Sequence, residues 1–134
     1  MINSIGKSLH ITWDELACKD KIHTPYPIEF IKDGRVIELV VMFERIRALY
    51  NKPLVIHSAY RTLAHNTSIG GSLNSPHIQG KALDIEPPIG IDVDTFHSDV
   101  KLRYKDFGIR GLGKYNSFIH CDIRDSDTLV EWVG

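Results

Sequence analysis

His77 and Asp84, set within Ser75-Pro76-His77-Ile78-Gln79-Gly80-Lys81-Ala82-Leu83-Asp84, constrain this chain more than any other feature of its sequence. They bring an imidazole and a hard carboxylate oxygen to a spacing that can grip one metal ion, and Gly80 between them lets the backbone turn without a Cβ clash. Leu83-Asp84-Ile85-Glu86 has the alternation of a short strand, with Asp84 and Glu86 on one face and Leu83 and Ile85 directed to a core. A carboxylate set in such a strand needs a reason. A metal ion supplies one; capping a turn or pairing with Arg61 would be the plainer ones.

Two ligands do not complete a catalytic site, and the best third is His120 in Phe118-Ile119-His120-Cys121-Asp122-Ile123-Arg124. Here His120, Asp122 and Arg124 share one face and Ile119, Cys121 and Ile123 the other, as in a half-buried strand. Two imidazoles and one carboxylate leave the fourth position of a tetrahedral zinc ion open, which separates catalytic zinc from closed structural sites rich in cysteine. The pattern points to a hydrolase that uses Zn2+.

The wording SxHxxGxAxD, followed by a late strand-borne histidine, resembles the D-alanyl-D-alanine metallopeptidase family of zinc enzymes. That family includes D-alanyl-D-alanine carboxypeptidases, D,D-dipeptidases and phage L-alanyl-D-glutamate endopeptidases. Ser58-Ala59-Tyr60-Arg61-Thr62, His65-Asn66, Gly70-Gly71-Ser72 and Gly111-Leu112-Gly113-Lys114-Tyr115 fit its small carboxypeptidase-like branch, so the likeness runs from about Thr12 to Trp132. It implies a zinc peptidase that cleaves an amide in a bacterial peptidoglycan peptide, with His77, Asp84 and His120 as the metal ligands. It also implies an arginine beside the scissile carbonyl. Arg61, at the end of the Leu54 to Ser58 strand, fits that part, where a fixed guanidinium would stabilise the oxyanion; a salt bridge to Asp84 or Glu86 is the alternative. Ser75 matches the motif serine, as a substrate contact or as a cap on the next turn, and His65 is a candidate substrate contact from the following loop.

The departure from the family lies at the general base. Many members carry Glu or Asp three residues before the last histidine, to take the proton from water and pass it to the leaving amine; here that position is Ser117. Serine cannot do this work. Asp122 and Glu86 are the carboxylates that could replace it, each two residues beyond a ligand on the same strand face. Asp122 is preferred because family members with this type of ending resemble one another there. Its other reading is a partner that orients His120 or pairs with Arg124. Ser117 also motivates a competing function: a zinc-bearing module that binds wall peptide, or a phage structural part, without catalysis.

A chain of 134 residues suits one domain, 1–134, with a real core. A formal charge of −1 with both signs interspersed gives no footprint for nucleic acid. No apolar run approaches the ~20 residues of a membrane span, and the first residues lack the basic flank and apolar stretch of a signal peptide. The expectation is a cytoplasmic monomer that inserts in no membrane. If it is phage-derived, a lysis protein, it would reach the wall through a holin or from a virion. Cys18 and Cys121 are expected as free buried thiols, neither of them a nucleophile.

The elements follow from periodicity. Thr12 and Glu15 form a capping box for a short helix, and Gly34 to Tyr50 has apolar residues at three- and four-residue spacing, the principal core helix. Thr62 to Pro76 has the composition of a loop. Val93 to Phe107 is expected as a second helix, Arg110 to Tyr115 and Phe118 to Arg124 as a strand pair, and Asp127 to Gly134 as a short helix packing Leu129 and Trp132. His57 is expected to be structural, and His10, His23 and His97 to lie on the surface. The fold class is α+β: a small antiparallel sheet carrying the metal ligands, packed against one main helix.

Overall fold

The computed structural model describes residues 10–134. The chain opens on α1 (Trp13–Leu16), whose capping box is complete: Glu15 N–H donates to Thr12 Oγ1 at 3.1 Å and Thr12 N–H to Glu15 Oε1 at 2.9 Å. After α2 (Ile28–Lys32) comes α3 (Arg35–Tyr50), which ends at Asn51 in the left-handed region, φ 51°. Its Val36, Leu39, Val40, Phe43 and Ile46 are the residues whose spacing predicts the helix, and all are buried. Fully burying one such side chain contributes about 1.5–3 kcal/mol, so α3 is held by its packed stripe more than by its caps.

Five short strands form one sheet: β1 (Ile56–Ser58), β2 (Ala82–Ile85), β3 (Gly111–Lys114), β4 (Ile119–Asp122) and β5 (Val130–Val133). Their order is β1-β2-β4-β3-β5. The pairs β1·β2, β2·β4 and β3·β4 are antiparallel, but β3·β5 is parallel. The sheet is therefore mixed, not purely antiparallel, and the reason is the tail. Residues 130–133 form an edge strand where a helix is expected, because Val-Glu-Trp-Val is β-branched and aromatic. The strand docks through Val130 N–H to Arg110 C=O and Gly134 N–H to Lys114 C=O, each 2.9 Å.

Two further expectations are corrected. The 62–76 stretch is not all loop: Thr62 caps α4 (Leu63–Ser68) by accepting from His65 N–H at 3.1 Å. Six residues are too few to show a period. The second helix is broken at Arg103 into α5 (Val93–Leu102) and α6 (Tyr104–Phe107).

Register assigns the two faces. Leu83, Cys121 and Leu112 lie in one cross-strand row, and Ile85 pairs with Ile119. All are buried in one core with the α3 stripe, Phe96, Val100 and Ile109. The opposite face carries a second row, Ser58, Asp84, His120, Gly113 and Trp132, one residue from each strand. Directly opposed residues on one face are close neighbours, so the pairing alone gathers the polar groups. Both cysteines are buried and free, and burial pushes the Cys121 thiol up. No helix among the described residues is long and apolar enough to cross a membrane.

Candidate metal centre

Asp84 and His120 face each other across β2 and β4, and His77 arrives from the turn before β2. That turn reverses at Gly80, φ 67°, where a Cβ would come within 2.6 Å of the Phe30 ring. Asp84 Oδ1 lies 3.1 Å from His77 Nε2 and 3.0 Å from His120 Nδ1. The other nitrogen of each ring is already engaged. His77 Nδ1 is 2.6 Å from the Ala59 carbonyl oxygen, which only accepts, so Nδ1 carries the hydrogen and Nε2 presents a lone pair. His120 Nε2 is 2.7 Å from Asp122 Oδ2, so its hydrogen sits there and Nδ1 presents a lone pair.

Three acceptor atoms thus converge in a buried place, and lone pairs at that separation repel unless a cation lies among them. Bonds of about 2.0–2.1 Å in tetrahedral geometry place ligand atoms about 3.3 Å apart, close to the observed spacing. His77, Asp84 and His120 can therefore hold a metal ion. Burial pushes the Asp84 carboxyl up, but its contacts with His120 and His77 outweigh this and keep it ionised, well below the usual carboxylate range. Burial lowers His77. Burial pulls His120 the same way, yet its bonds to Asp122 and Asp84 prevail and raise it, so a proton competes with a metal ion for its lone pair.

Arg61 is clamped from three sides. Its Nε–H donates to Ser58 Oγ at 3.0 Å, one Nη1–H to Asn66 Oδ1 at 3.2 Å and one Nη2–H to Asp84 Oδ2 at 3.1 Å. The expected alternative, a salt bridge to Asp84, is therefore present, and among the described residues two of the five guanidinium N–H groups are still uncommitted. Asn66 is fully buried, and its own amide donates to the Ser72 carbonyl, which pins the loop beyond α4. Gly71 makes this possible: a Cβ there would sit 2.2 Å from Asn66 Oδ1.

The ligands open onto a cavity of about 530 Å³ whose walls include Arg61, Ser75, Tyr115, Phe118, Arg124 and Trp132. Ser75 lines it and also caps the turn, its Oγ accepting from His77 N–H at 3.2 Å. The other candidates lie elsewhere. Asp122 is wholly buried behind the His120 ring, both its oxygens accepting from the Arg124 side chain and Oδ2 also from His120 Nε2. Burial pushes its carboxyl up, but these bonds overcome that and hold it at about 2. Glu86 lies outside the cavity, 3.5 Å from the half-exposed His57 Nδ1. His65 lines a separate hollow with Lys19, Asp20 and Thr62. Ser117 is exposed in the turn between β3 and β4. Among the described residues, Asp84 is the only carboxylate that lines the cavity.

Two features were not foreseen from sequence. Trp132 packs on His120 with centroids 4.9 Å apart and donates from Nε1 to Tyr115 Oη at 2.8 Å. It reaches that place because Gly113 has no side chain, a Cβ there meeting the indole at 2.5 Å. Gly111 does the same for Asp122, whose carboxylate would lie 2.1 Å from an added Cβ. His57, Phe118 and Tyr115 stack in succession at 4.8 and 4.6 Å along one rim.

Compared with known proteins, the chain matches the family model described as Peptidase M15 over residues 9–122. No curated protein matches it with significance. The matched span carries His77, Asp84, His120, Arg61 and Asp122 and stops short of Arg124 and Trp132. With a His-Asp-His cluster in a pattern that can bind a metal, and a family match over most of its length, the chain belongs to the Peptidase M15 family of metallopeptidases.

Proposed function

We propose that this protein is a zinc-dependent peptidase that hydrolyses an amide bond in bacterial peptidoglycan stem peptides, as a D-alanyl-D-alanine carboxypeptidase or an L-alanyl-D-glutamate endopeptidase. The observation that carries the reading is the convergence of three lone pairs, from His77 Nε2, Asp84 Oδ1 and His120 Nδ1, at the floor of an open cavity. Zinc, when bound, supplies Lewis acidity toward a carbonyl oxygen and toward water.

The protein's own groups supply position and charge. Arg61, held rigid by Ser58, Asn66 and Asp84, keeps two N–H donors for the carbonyl oxygen that gains charge as the amide carbon becomes tetrahedral. Asp122 acts through His120 by fixing its tautomer and ring plane, so it is a positioning residue and not the base. Glu86 takes no part. Ser75 holds the His77 turn and offers its hydroxyl at the cavity wall.

A second reading is favoured by one observation, that among the described residues no carboxylate besides Asp84 lines the cavity: a zinc-bearing module that binds wall peptide without turnover. Metal analysis followed by product mass spectrometry on purified peptidoglycan, with and without a chelator, separates the two. The peptidase reading expects about one zinc per chain and new amine ends that a chelator abolishes. Binding of peptidoglycan with no products would leave the module.

A further inference from the structure

The cavity holds a second guanidinium that the peptidase reading does not use. Arg124 lines it together with His120 and Trp132. Its Nε donates to Asp122 Oδ1 at 2.9 Å and its Nη2 to Asp122 Oδ2 at 2.7 Å, and its carbon lies 5.1 Å from the centroid of the Trp132 ring. Nη1 makes no hydrogen bond among the described residues. The side chain is 28% exposed, on a group whose other half is locked to a wholly buried carboxylate. Asp122 Oδ2 accepts from both His120 Nε2 and Arg124 Nη2, each at 2.7 Å, so the free edge of Arg124 is fixed relative to the metal ligand itself. Arg61 stands on the other side of the cluster, bound to Asp84. Among the described residues, the only carboxylate lining the cavity that holds the two arginines is Asp84, and Arg61 and the two histidines already occupy it.

A guanidinium fixed by Asp122 beside the metal-binding cluster, with an N–H edge that no carboxylate lining the cavity takes among the described residues, suits an anionic ligand. We propose that Arg124 receives a free carboxylate of the substrate, borne on the carbon attached to the nitrogen that leaves, and so restricts the enzyme to amides of that kind. The inference rests on the peptidase reading and deepens it. Two sources share this chemistry: a C-terminal amino acid, whose α-carboxylate sits beside the scissile nitrogen, and a γ-linked glutamate, whose free α-carboxylate occupies the same position. Lysine would serve poorly, since it cannot hold Asp122 with one edge and a carboxylate with the other.

The test pairs each candidate peptide with its amide: a stem peptide ending in D-Ala-D-Ala against its C-terminal carboxamide, and an L-Ala-γ-D-Glu peptide against its D-isoglutamine form. Zinc-loaded wild type should favour the free acid of whichever peptide it cleaves by about 10- to 100-fold in kcat/KM, the usual worth of a charged hydrogen bond, and the pair that shows the preference identifies the source. Arg124→Gln should erase most of that preference: turnover of the acid should fall about 10- to 100-fold further than turnover of the amide, chiefly through KM, on top of whatever loss common to both follows from freeing Asp122. Equilibrium binding followed by calorimetry should show the same loss for the product amino acid. Wild type that treats acid and amide alike overturns the proposal without any variant. So does an Arg124→Gln protein that loses acid and amide equally together with its zinc, since Arg124 would then only position Asp122. Should wild type cleave neither peptide yet bind the acid over the amide in an Arg124-dependent way, the peptidase reading fails and the restriction on cleavage with it, while the reception of a carboxylate by Arg124 stands.

Discussion

Asp122→Asn distinguishes a residue that moves a proton from one that aims a ligand. The wild-type carboxylate is buried, held near pKa 2 against an ordinary 3.8, and receives hydrogen bonds only, from His120 Nε2 and from the Arg124 side chain and backbone N–H. That depression corresponds to about 2 kcal/mol of preference for the charged form in the fold. An asparagine of the same shape has one accepting oxygen and, in place of the other, an NH2 that only donates. With its oxygen toward Arg124, its NH2 meets His120 Nε2–H, and the ring must move its hydrogen to Nδ1, the atom that faces Asp84. With its oxygen toward His120, its NH2 opposes the Arg124 backbone and Nε donors. One orientation removes a metal ligand; the other leaves donors facing each other in a buried place.

The expected result is a 10- to 100-fold loss of zinc affinity, the usual effect of removing such an outer partner, with about 2 kcal/mol lost from the stability of the metal-free protein. Competition with a zinc-chelating dye measures the first and urea unfolding the second. At saturating zinc, kcat should fall far less than the affinity. If Asp122→Asn instead binds zinc as tightly as wild type while kcat drops by about 10², Asp122 is the proton carrier and the orienting argument is wrong.

His77→Ala, Asp84→Ala and His120→Ala should each lose most of the bound zinc, measured by metal analysis after gel filtration, and with it the stabilisation that metal gives the folded state. Arg61→Ala should lower kcat by roughly 10² to 10³ with zinc retained, and Arg61→Lys should recover little, because Ser58, Asn66 and Asp84 each take a separate edge of the planar fork; loss of zinc in Arg61→Ala would reduce its role to the Asp84 salt bridge. Gly113→Ala should displace the Trp132 indole and cost about 1–3 kcal/mol, visible as a change in tryptophan fluorescence and unfolding midpoint, with zinc content unchanged; an unchanged emission and midpoint would mean the close approach at Gly113 is not required.

The convergence of His77, Asp84 and His120 into a cluster that can hold a metal ion was legible because strand alternation and a short turn are local facts. His77 and Asp84 need only Gly80 between them, and His120 needs only the period of its own strand. Roles that depend on which strands pair were not legible. Asp122 does share a face with His120, as the alternation says. Sharing a face does not put two groups on the same side of a metal, however, and the His120 ring stands between Asp122 and the ligand atoms. Glu86 shares a face with Asp84 but lies beyond the last paired residue of β2, where it meets His57 instead. In α4 the roughly 100° turn per residue sends His65 to a separate hollow and its neighbour Asn66 into the Arg61 clamp. The nearest signal for Asn66 in the sequence is Gly71, which must be small for Asn66 to fit.

The same reasoning explains why Gly111-Leu112-Gly113 matters more than its weak wording suggests. In a strand, glycine forfeits conformational entropy and packs nothing, so two of them on one face with a core leucine between them ask for something large on that face. The register supplies it: Asp122 opposite Gly111 and Trp132 opposite Gly113. One glycine admits the carboxylate that sets the His120 tautomer, and the other admits the indole that packs on the same ring. Trp132 could be placed only by knowing that the tail adds as a parallel strand beside β3, and a four-residue edge strand leaves almost no periodic trace. The imidazole is thereby held from behind by Asp122 and across its face by Trp132, two contacts made by residues distant in sequence that meet only through the pairing of β3, β4 and β5.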